Sequence, residues 1–420
     1  MNLKKELGWS RILFDFEITK YFLDNRNIIA TINYFRQSRG INKKQIQKDN
    51  KISHATFRRA ELNYFVDHPE LIKKMATYFQ IPTDYKEGIV QEANSHFNLL
   101  YTYLNLGDFE KMEYHYKQIE LIKMTYPNSF FLAIFHFARL VYYVGSPLRV
   151  ELNAIKESIE VLQLFRDDLL DVFIFLLDYY LLCYYSLMHD KINTTIYAKK
   201  IYLESAKYPS LLPLVLYQLS LNYYFINDYA NSIFYSLEVL PMLENELNYN
   251  RALYCNLNIA ICFERLNNTV KSKELLDRIF LYLMANHVPR VAYLAKLTLA
   301  NCYISEENYV EAIPIFEELE MDRPSRGENS LMLLYCFYKT KEEHLFNALK
   351  DTIDEEVEKD NFYLGYYDVV LLLAELFNQN KKNILSKFKI AEKSFQAYGD
   401  SKIVDLLYKE LSERKIISVS

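Results

Sequence analysis

Glycine and proline are scarce, with 8 and 10 residues in a chain of 420. Turn-rich β architectures need more breaks than that, and no alternating apolar–polar run bounded by turn signals reads as a strand. The five cysteines, Cys183, Cys255, Cys262, Cys302 and Cys336, are far apart and show no C-x-x-C spacing. That excludes a zinc ribbon or disulfide framework and predicts free, buried thiols in a reducing compartment. No stretch of about 18 apolar residues is free of charge. The nearest, DVFIFLLDYYLLCYYSLM, is interrupted by Asp178, so a buried helix is expected there rather than a membrane span. The opening MNLKKELGWSRILFDFEITK has neither an apolar core nor a small-residue cleavage site, so no signal peptide is read and a cytoplasmic protein is expected. The eight histidines are scattered, and H-E-x-x-H, G-x-S-x-G and Walker-type loops are absent. The sequence therefore predicts no enzyme, no cofactor and no metal site.

What remains is long apolar periodicity at helical spacing, so an all-α protein is expected. Charge divides the chain. Residues 31–81 hold ten Lys/Arg against four Asp/Glu, a local +6 in a chain of net −5, which leaves −11 for the rest. The break is expected near IPTDYKEG, where Pro82 and Gly88 punctuate the pattern. This gives a region 1–85, with an N-terminal helical extension, and a region 89–420.

The second region repeats. SLNYYFINDYANSIFYSLEVL, AICFERLNNTVKSKELLDRIF and ANCYISEENYVEAIPIFEELE each have a small residue, an aromatic three later, a polar turn and a second amphipathic segment. Ser220, Ala260 and Ala300 are 40 apart. Leu99–Ile119 fits the template, Leu182–Tyr202 fits with a shift of about two residues, and weaker copies surround Phe137, Cys336 and Phe377. A hairpin of two helices cannot bury its apolar face alone, so stacked copies predict an α-solenoid with a concave face. The third copy resembles a tetratricopeptide repeat, with Leu299, Ala300, Tyr303, Tyr309, Ala312, Phe316 and Pro324 at that family's spacings. The period of 40 departs from the usual 34 of that family. The C-terminal SKIVDLLYKELSERKI is amphipathic and is expected to cap the solenoid, or else to pack on a partner's copy.

The first region predicts four short helices: Ile29 to a stop at Gly40, NKKQIQKD capped by Asn42, ISHATFRRAEL capped by Ser53, and HPELIKKMATYFQI with Pro69 in its first turn. It resembles the XRE/Cro-type helix-turn-helix through Phe35-Arg36, Gly40-Ile41-Asn42-Lys43, Ile46, Ile52-Ser53, Phe57, Glu61, Leu71, Met75-Ala76 and Ile81. It departs where Lys51 replaces the common turn glycine and Lys43 the common Gln. The resemblance implies a third helix in the major groove of double-stranded DNA. His54, Ala55, Arg58 and Arg59 would lie at or near base edges, and Lys43, Lys44 and Arg36 on phosphates.

An XRE-like module followed by tetratricopeptide-like repeats resembles the peptide-responsive regulators of Gram-positive bacteria and their phages, of the Rgg, PlcR, PrgX and NprR type, with the AimR receptors as cousins. The resemblance implies a cytoplasmic, homodimeric transcription regulator whose DNA binding responds to a short signalling peptide in the concave groove. Asn and Gln side chains satisfy a peptide backbone without demanding one sequence. On the first helix of each repeat the relevant positions are two before and one after the small residue. These give a ladder of Asn98, Gln218, Asn258 and Asn301, with Tyr217, Tyr254 and Tyr223 as walls. The alternative is a Rap-like scaffold that binds proteins and not DNA.

Overall fold

The computed structural model describes residue 16 and the segments 25–62, 68–82, 85–86, 88–145, 151–246, 248–322, 328–358, 364–379, 381–396 and 402–416. Most of the expected N-terminal extension, and Pro324 of the repeat signature, lie outside these residues. Among the described residues every regular element is a helix. The chain divides into two compact units, one of residues 1–226 with 237–252, the other of residues 227–236 with 253–420. The boundary expected between residues 85 and 89 falls inside the first.

Among the described residues the first unit begins with four short helices, α1 (Asn25–Ser38), α2 (Lys43–Asp49), α3 (His54–Leu62) and α4 (Pro69–Tyr78). Their boundaries follow local chemistry. Gly40, at φ +66°, ends α1, and its N–H donates to the Gln37 carbonyl at 2.9 Å. The Asn42 side chain accepts the Gln45 N–H at 2.9 Å and starts α2. Ser53 Oγ accepts the Thr56 N–H at 3.0 Å and starts α3. Pro69 opens α4, where its missing N–H costs nothing. Ile29, Ile32, Phe35, Ile46, Ile52, Phe57, Leu71, Met75 and Phe79 are buried. Helix α1 begins four residues before the expected Ile29. The polar run Asn25–Asn27 hides the period, because Asn27 is itself a buried residue whose amide donates to the Phe130 carbonyl at 3.0 Å.

The repeats follow as helix pairs: α5 (Ile89–Leu106) with α6 (Phe109–Thr125), α7 (Leu132–Gly145) with α8 (Leu152–Leu164), α9 (Asp171–Leu187) with α10 (Lys191–Ser205), and α11 (Leu212–Phe225) with α12 (Tyr229–Asn245). Then come α13 (Tyr249–Arg265) with α14 (Thr269–Ala285), α15 (Pro289–Ser305) with α16 (Tyr309–Asp322), α17 (Glu328–Thr340) with α18 (Glu343–Glu358), and α19 (Leu364–Phe377) with α20 (Lys381–Gln396). The last described helix is α21 (Lys402–Glu413). All eight copies read in the sequence, strong and weak, correspond to these pairs.

One turn recurs within the pairs. Gly107, His189, Asn227, Asn267, Glu307, Lys341 and Gln379 all have left-handed φ, between 54° and 69°. In the first four of these turns the next residue, Asp108, Asp190, Asp228 or Asn268, accepts the backbone N–H three positions on and caps the second helix. Gly107 stands alone among the seven in lacking a Cβ, and the nearest atom to an added one is Asn250 Cβ at 3.9 Å. Space is therefore not limiting, only backbone strain. Gly107→Ala is expected to cost about 1 kcal/mol and Gly107→Asn distinctly less, since Asn tolerates the left-handed region. Urea unfolding of the two variants checks the order.

In the second unit, Leu253, Leu257, Ala260, Leu276, Ile279, Val291 and Ala295 form one apolar cluster. A larger one runs from Ala300 to Leu411, and α21 contributes Ile403, Leu407 and Leu411 to it. The C-terminal helix thus packs its apolar face on its own chain. The five cysteines are free and buried.

Candidate functional site

The basic side chains of the N-terminal helices divide by what they touch. Arg39 donates to the Phe79 carbonyl at 3.2 Å and lies over the Phe35 and Phe79 rings, so it braces α1 against the end of α4. Arg36 donates to the Ile41 carbonyl at 3.2 Å and to Asn33 Oδ1 at 3.5 Å, which fixes the α1–α2 turn. Lys43 and Lys44 are exposed in the first turn of α2, and His54 and Ala55 in that of α3. Arg58 and Arg59 are exposed on α3, and neither has an ion pair or hydrogen bond among the described residues. Helix α3 is held from its other side by buried Phe57. The turn before it is made by Lys51 at φ +54°, in the left-handed region that favours glycine. The Ile52 N–H closes the turn on the Gln47 carbonyl at 2.8 Å.

These helices are fastened to the first repeats rather than tethered. Besides the Asn27–Phe130 bond, the Tyr34 ring lies 6.2 Å from that of Phe165. Tyr85, in the connection to α5, packs on the Tyr126, Phe130 and Phe131 rings and its hydroxyl accepts the Phe130 N–H at 3.3 Å. Burial pushes the Tyr85 hydroxyl up to about 12.

The expected polar ladder is divided between the units. In the first, Gln218 belongs to a network. Its amide donates to Asn222 Oδ1 at 3.1 Å, the Tyr179 hydroxyl donates to Gln218 Oε1 at 3.4 Å, and the Ser186 hydroxyl donates to Asn222 Oδ1 at 2.7 Å. Among the described residues the buried Asn222 Nδ2 and Asn105 Oδ1 have no hydrogen-bond partner. The buried Arg251 guanidinium sits 4.4 Å over the Tyr217 ring and donates to the Leu104 and Asn105 carbonyls at the end of α5. Asn98 is engaged elsewhere: its Oδ1 accepts the Phe16 N–H at 3.0 Å, and the Phe16 ring lies 4.8 Å from Tyr101 and 5.7 Å from Phe97. Tyr223 is buried.

In the second unit Tyr254 packs half-buried on the Leu253–Ala295 cluster. The Asn258 amide is spent on two serines of α12, donating to Ser232 Oγ at 3.0 Å and Ser236 Oγ at 3.1 Å. Asn301 offers its main-chain carbonyl to Lys402 at 3.0 Å, while its buried Oδ1 has no hydrogen-bond partner among the described residues. Sequence reading missed Asn222, Asn105 and Arg251. Asn222 was findable, since it lies four residues after Gln218 on the same helical face. Arg251 was not, because its partners are 146 and 147 residues away.

His96 and His115 meet Nδ1 to Nδ1 at 2.9 Å, so one ring donates and the other accepts. Burial and the facing His96 push His115 down to about 4. Among the described residues no group of three His, Cys, Asp or Glu side chains is placed to hold a metal. No helix among them is long and apolar enough to cross a membrane.

No protein-family model matches the sequence, and no curated protein does. Solved structures do. A Rap protein complexed with competence and sporulation factor is similar at 15% identity and TM-score 0.54, over 77% of this chain and 98% of that one. The quorum sensor NprR from B. thuringiensis, in its apo form, is similar at 13% identity and TM-score 0.54, over 77% and 99%. NprR in complex with its cognate peptide NprX matches at 13% identity and TM-score 0.54, over 80% and 100%. At these identities what is shared is the all-helical repeat fold, and the chain carries the fold seen in Rap and NprR.

Proposed function

We propose that the protein is a cytoplasmic transcription regulator whose DNA binding is set by a short signalling peptide. The observation that carries the DNA half is the pair Arg58 and Arg59, exposed and unpaired among the described residues on a helix that follows a left-handed turn. Arginine at that place on a recognition helix pairs with guanine in the major groove, while Ala55 meets a thymine methyl and His54 a neighbouring base. Lys43 and Lys44 neutralise phosphates. Arg36 reaches a phosphate only by leaving the Ile41 carbonyl, so its part is to hold the turn. Two copies of the chain, binding as a homodimer, would read two half-sites.

The peptide half rests on Tyr217, Gln218 and the Asn222 amide nitrogen, which no described residue satisfies, in the first unit. Asn98 joins them by exchanging its bond to the Phe16 N–H for a peptide group, and the second unit, taken by itself, offers Tyr254, Asn258 and Asn301 to a peptide in the same way. The Asn27–Phe130 hydrogen bond and the Tyr34–Phe165 ring contact, just before α7 and just after α8, would give a physical route for control. In the similar structures, Rap is complexed with competence and sporulation factor and NprR with NprX, which supports a peptide ligand here.

Replacing Arg58 and Arg59 with alanine is expected to weaken specific DNA binding at least about a hundredfold, with the circular dichroism spectrum unchanged. Lys43→Ala and Lys44→Ala are each expected to lower the salt slope of binding by about 1, without altering sequence preference. Gel shifts against genomic fragments at several salt concentrations read both. Binding that ignores the arginines defeats the DNA reading and leaves a Rap-like scaffold, in which the same helices contact a protein.

A further inference from the structure

Lys402 is the first residue of α21, and its ammonium is taken up by three acceptors of the second unit. They are a Glu264 carboxylate oxygen, the Asn301 carbonyl at 3.0 Å and Ser305 Oγ at 2.7 Å. Three acceptors match the three donors of an ammonium group. Glu264 is only 2% exposed, on α13, and the other two lie on α15, the first helix of the next repeat. Burial pushes the Lys402 amine below its ordinary value, against the pull of Glu264. A cation in the first turn of a helix also faces the positive end of the helix dipole. The ammonium is thus well received by the site and poorly placed on its own helix.

Two further features point to a ligand. Beside Lys402 opens a cavity of about 430 Å3, within the range of small-ligand sites, lined in part by Tyr309, Tyr335, Lys339, Lys409, Glu410 and Glu413. Its lining carries both charge signs and two tyrosine rings, which suits a short peptide segment with a charged end. The Asn301 Oδ1, on the residue that also receives Lys402, is a buried acceptor with no donor among the described residues.

We propose that Glu264, the Asn301 carbonyl and Ser305 form an ammonium site for a short peptide lying in this cavity, and that Lys402 fills it when no peptide is bound. The ligand ammonium is a free amino terminus or a lysine side chain. On binding it takes the three acceptors, and the first turn of α21 is released. The proposal rests on the peptide half of the reading above and is independent of the DNA half.

The test uses the full chain and three synthetic probes: Ala-Leu-Tyr with a free amino terminus, its N-acetyl form, and N-acetyl-Lys-Leu-Tyr. Calorimetry is run on the wild type, Lys402→Met and Glu264→Gln, and amide exchange in α21 is followed by mass spectrometry. Lys402→Met, freed of its internal competitor, should bind an ammonium-bearing probe at least tenfold more tightly than the wild type. Whichever of the two ammonium probes binds identifies the source of the charge. The acetylated tripeptide should not bind, and Glu264→Gln should lose at least tenfold. In the wild type, millimolar ammonium-bearing probe should speed exchange in α21. Equal binding of the acetylated form, unchanged binding by Glu264→Gln, or no binding to a folded Lys402→Met overturns the site. Should Lys402→Met fail to fold, wild-type exchange decides alone, and an α21 indifferent to the probes overturns it. Failure of the arginine variants in the gel shift removes the DNA reading and leaves this site standing.

Discussion

Asp178→Ala is expected to lower the stability of the first unit by about 3 kcal/mol. Asp178 is the charge that breaks the longest apolar stretch of the sequence, and on α9 its side chain is 0% exposed. A carboxylate buried this way survives only if fully paired. It is: Arg166 Nη2 lies 2.9 Å from both oxygens and Lys200 Nζ 2.6 Å from Oδ2. Removing the acid leaves two cations facing each other over an apolar hole. Their side chains are 30% and 39% exposed, so both can turn partly to water, which places the cost at the lower end for a broken buried pair. Arg166→Ala leaves Lys200 on the carboxylate and should cost less, about 1–2 kcal/mol. Urea unfolding followed by circular dichroism measures both. A loss under about 1 kcal/mol for Asp178→Ala would mean that the triad does not hold α9.

Acid is expected to destabilise the protein well before its carboxylates titrate. His136 is 4% exposed with Nδ1 3.2 Å from Ser158 Oγ, and burial, aided by Lys123 and Arg139, pushes it down to about 3. His115, 8% exposed, is pushed down to about 4. His96 is lowered too, mainly by burial. In the unfolded chain a histidine titrates near 6.5. Below that pH the unfolded state takes up protons that the folded state refuses. The stability these residues contribute is therefore complete above about pH 6.5 and falls as pH drops towards 4, by roughly 1.4 kcal/mol per pH unit for each group. Between about pH 7.5 and pH 5, His115 and His136 together should remove about 4 kcal/mol. Urea midpoints across that interval read the loss, and it should shrink by about half in His136→Asn. A flat profile would show that these rings are already solvated when folded.

The repeats were legible because they depend on short-range chemistry. Small residues at Ser220, Ala260 and Ala300, all buried, let two helices approach, and the polar pairs Asn227-Asp228 and Asn267-Asn268 each supply a left-handed residue followed by an Asx cap. Both signals lie within one helix pair, so periodicity alone finds them. The ends of the short N-terminal helices were legible for the same reason, since Gly40, Asn42, Ser53 and Pro69 act on neighbours three or four residues away.

The ladder shows where such reading stops. Asn98, Gln218, Asn258 and Asn301 occupy similar places in the repeat pattern, yet their polar groups meet four different environments: the Phe16 main chain, Asn222 with Tyr179, two serines of α12, and Lys402. Position within a repeat tells which helix carries an amide. It does not tell what another part of the chain, up to 101 residues away for Asn301, brings against it. Helix identity, pairing and capping were thus determined by the sequence itself, through spacings of two to four residues. Which arginines stay exposed, which amides are spent and what fills the Glu264 site were decided by tertiary packing, because a hydrogen bond or ion pair depends on positions within about 1 Å, and no residue pattern carries that across a hundred residues.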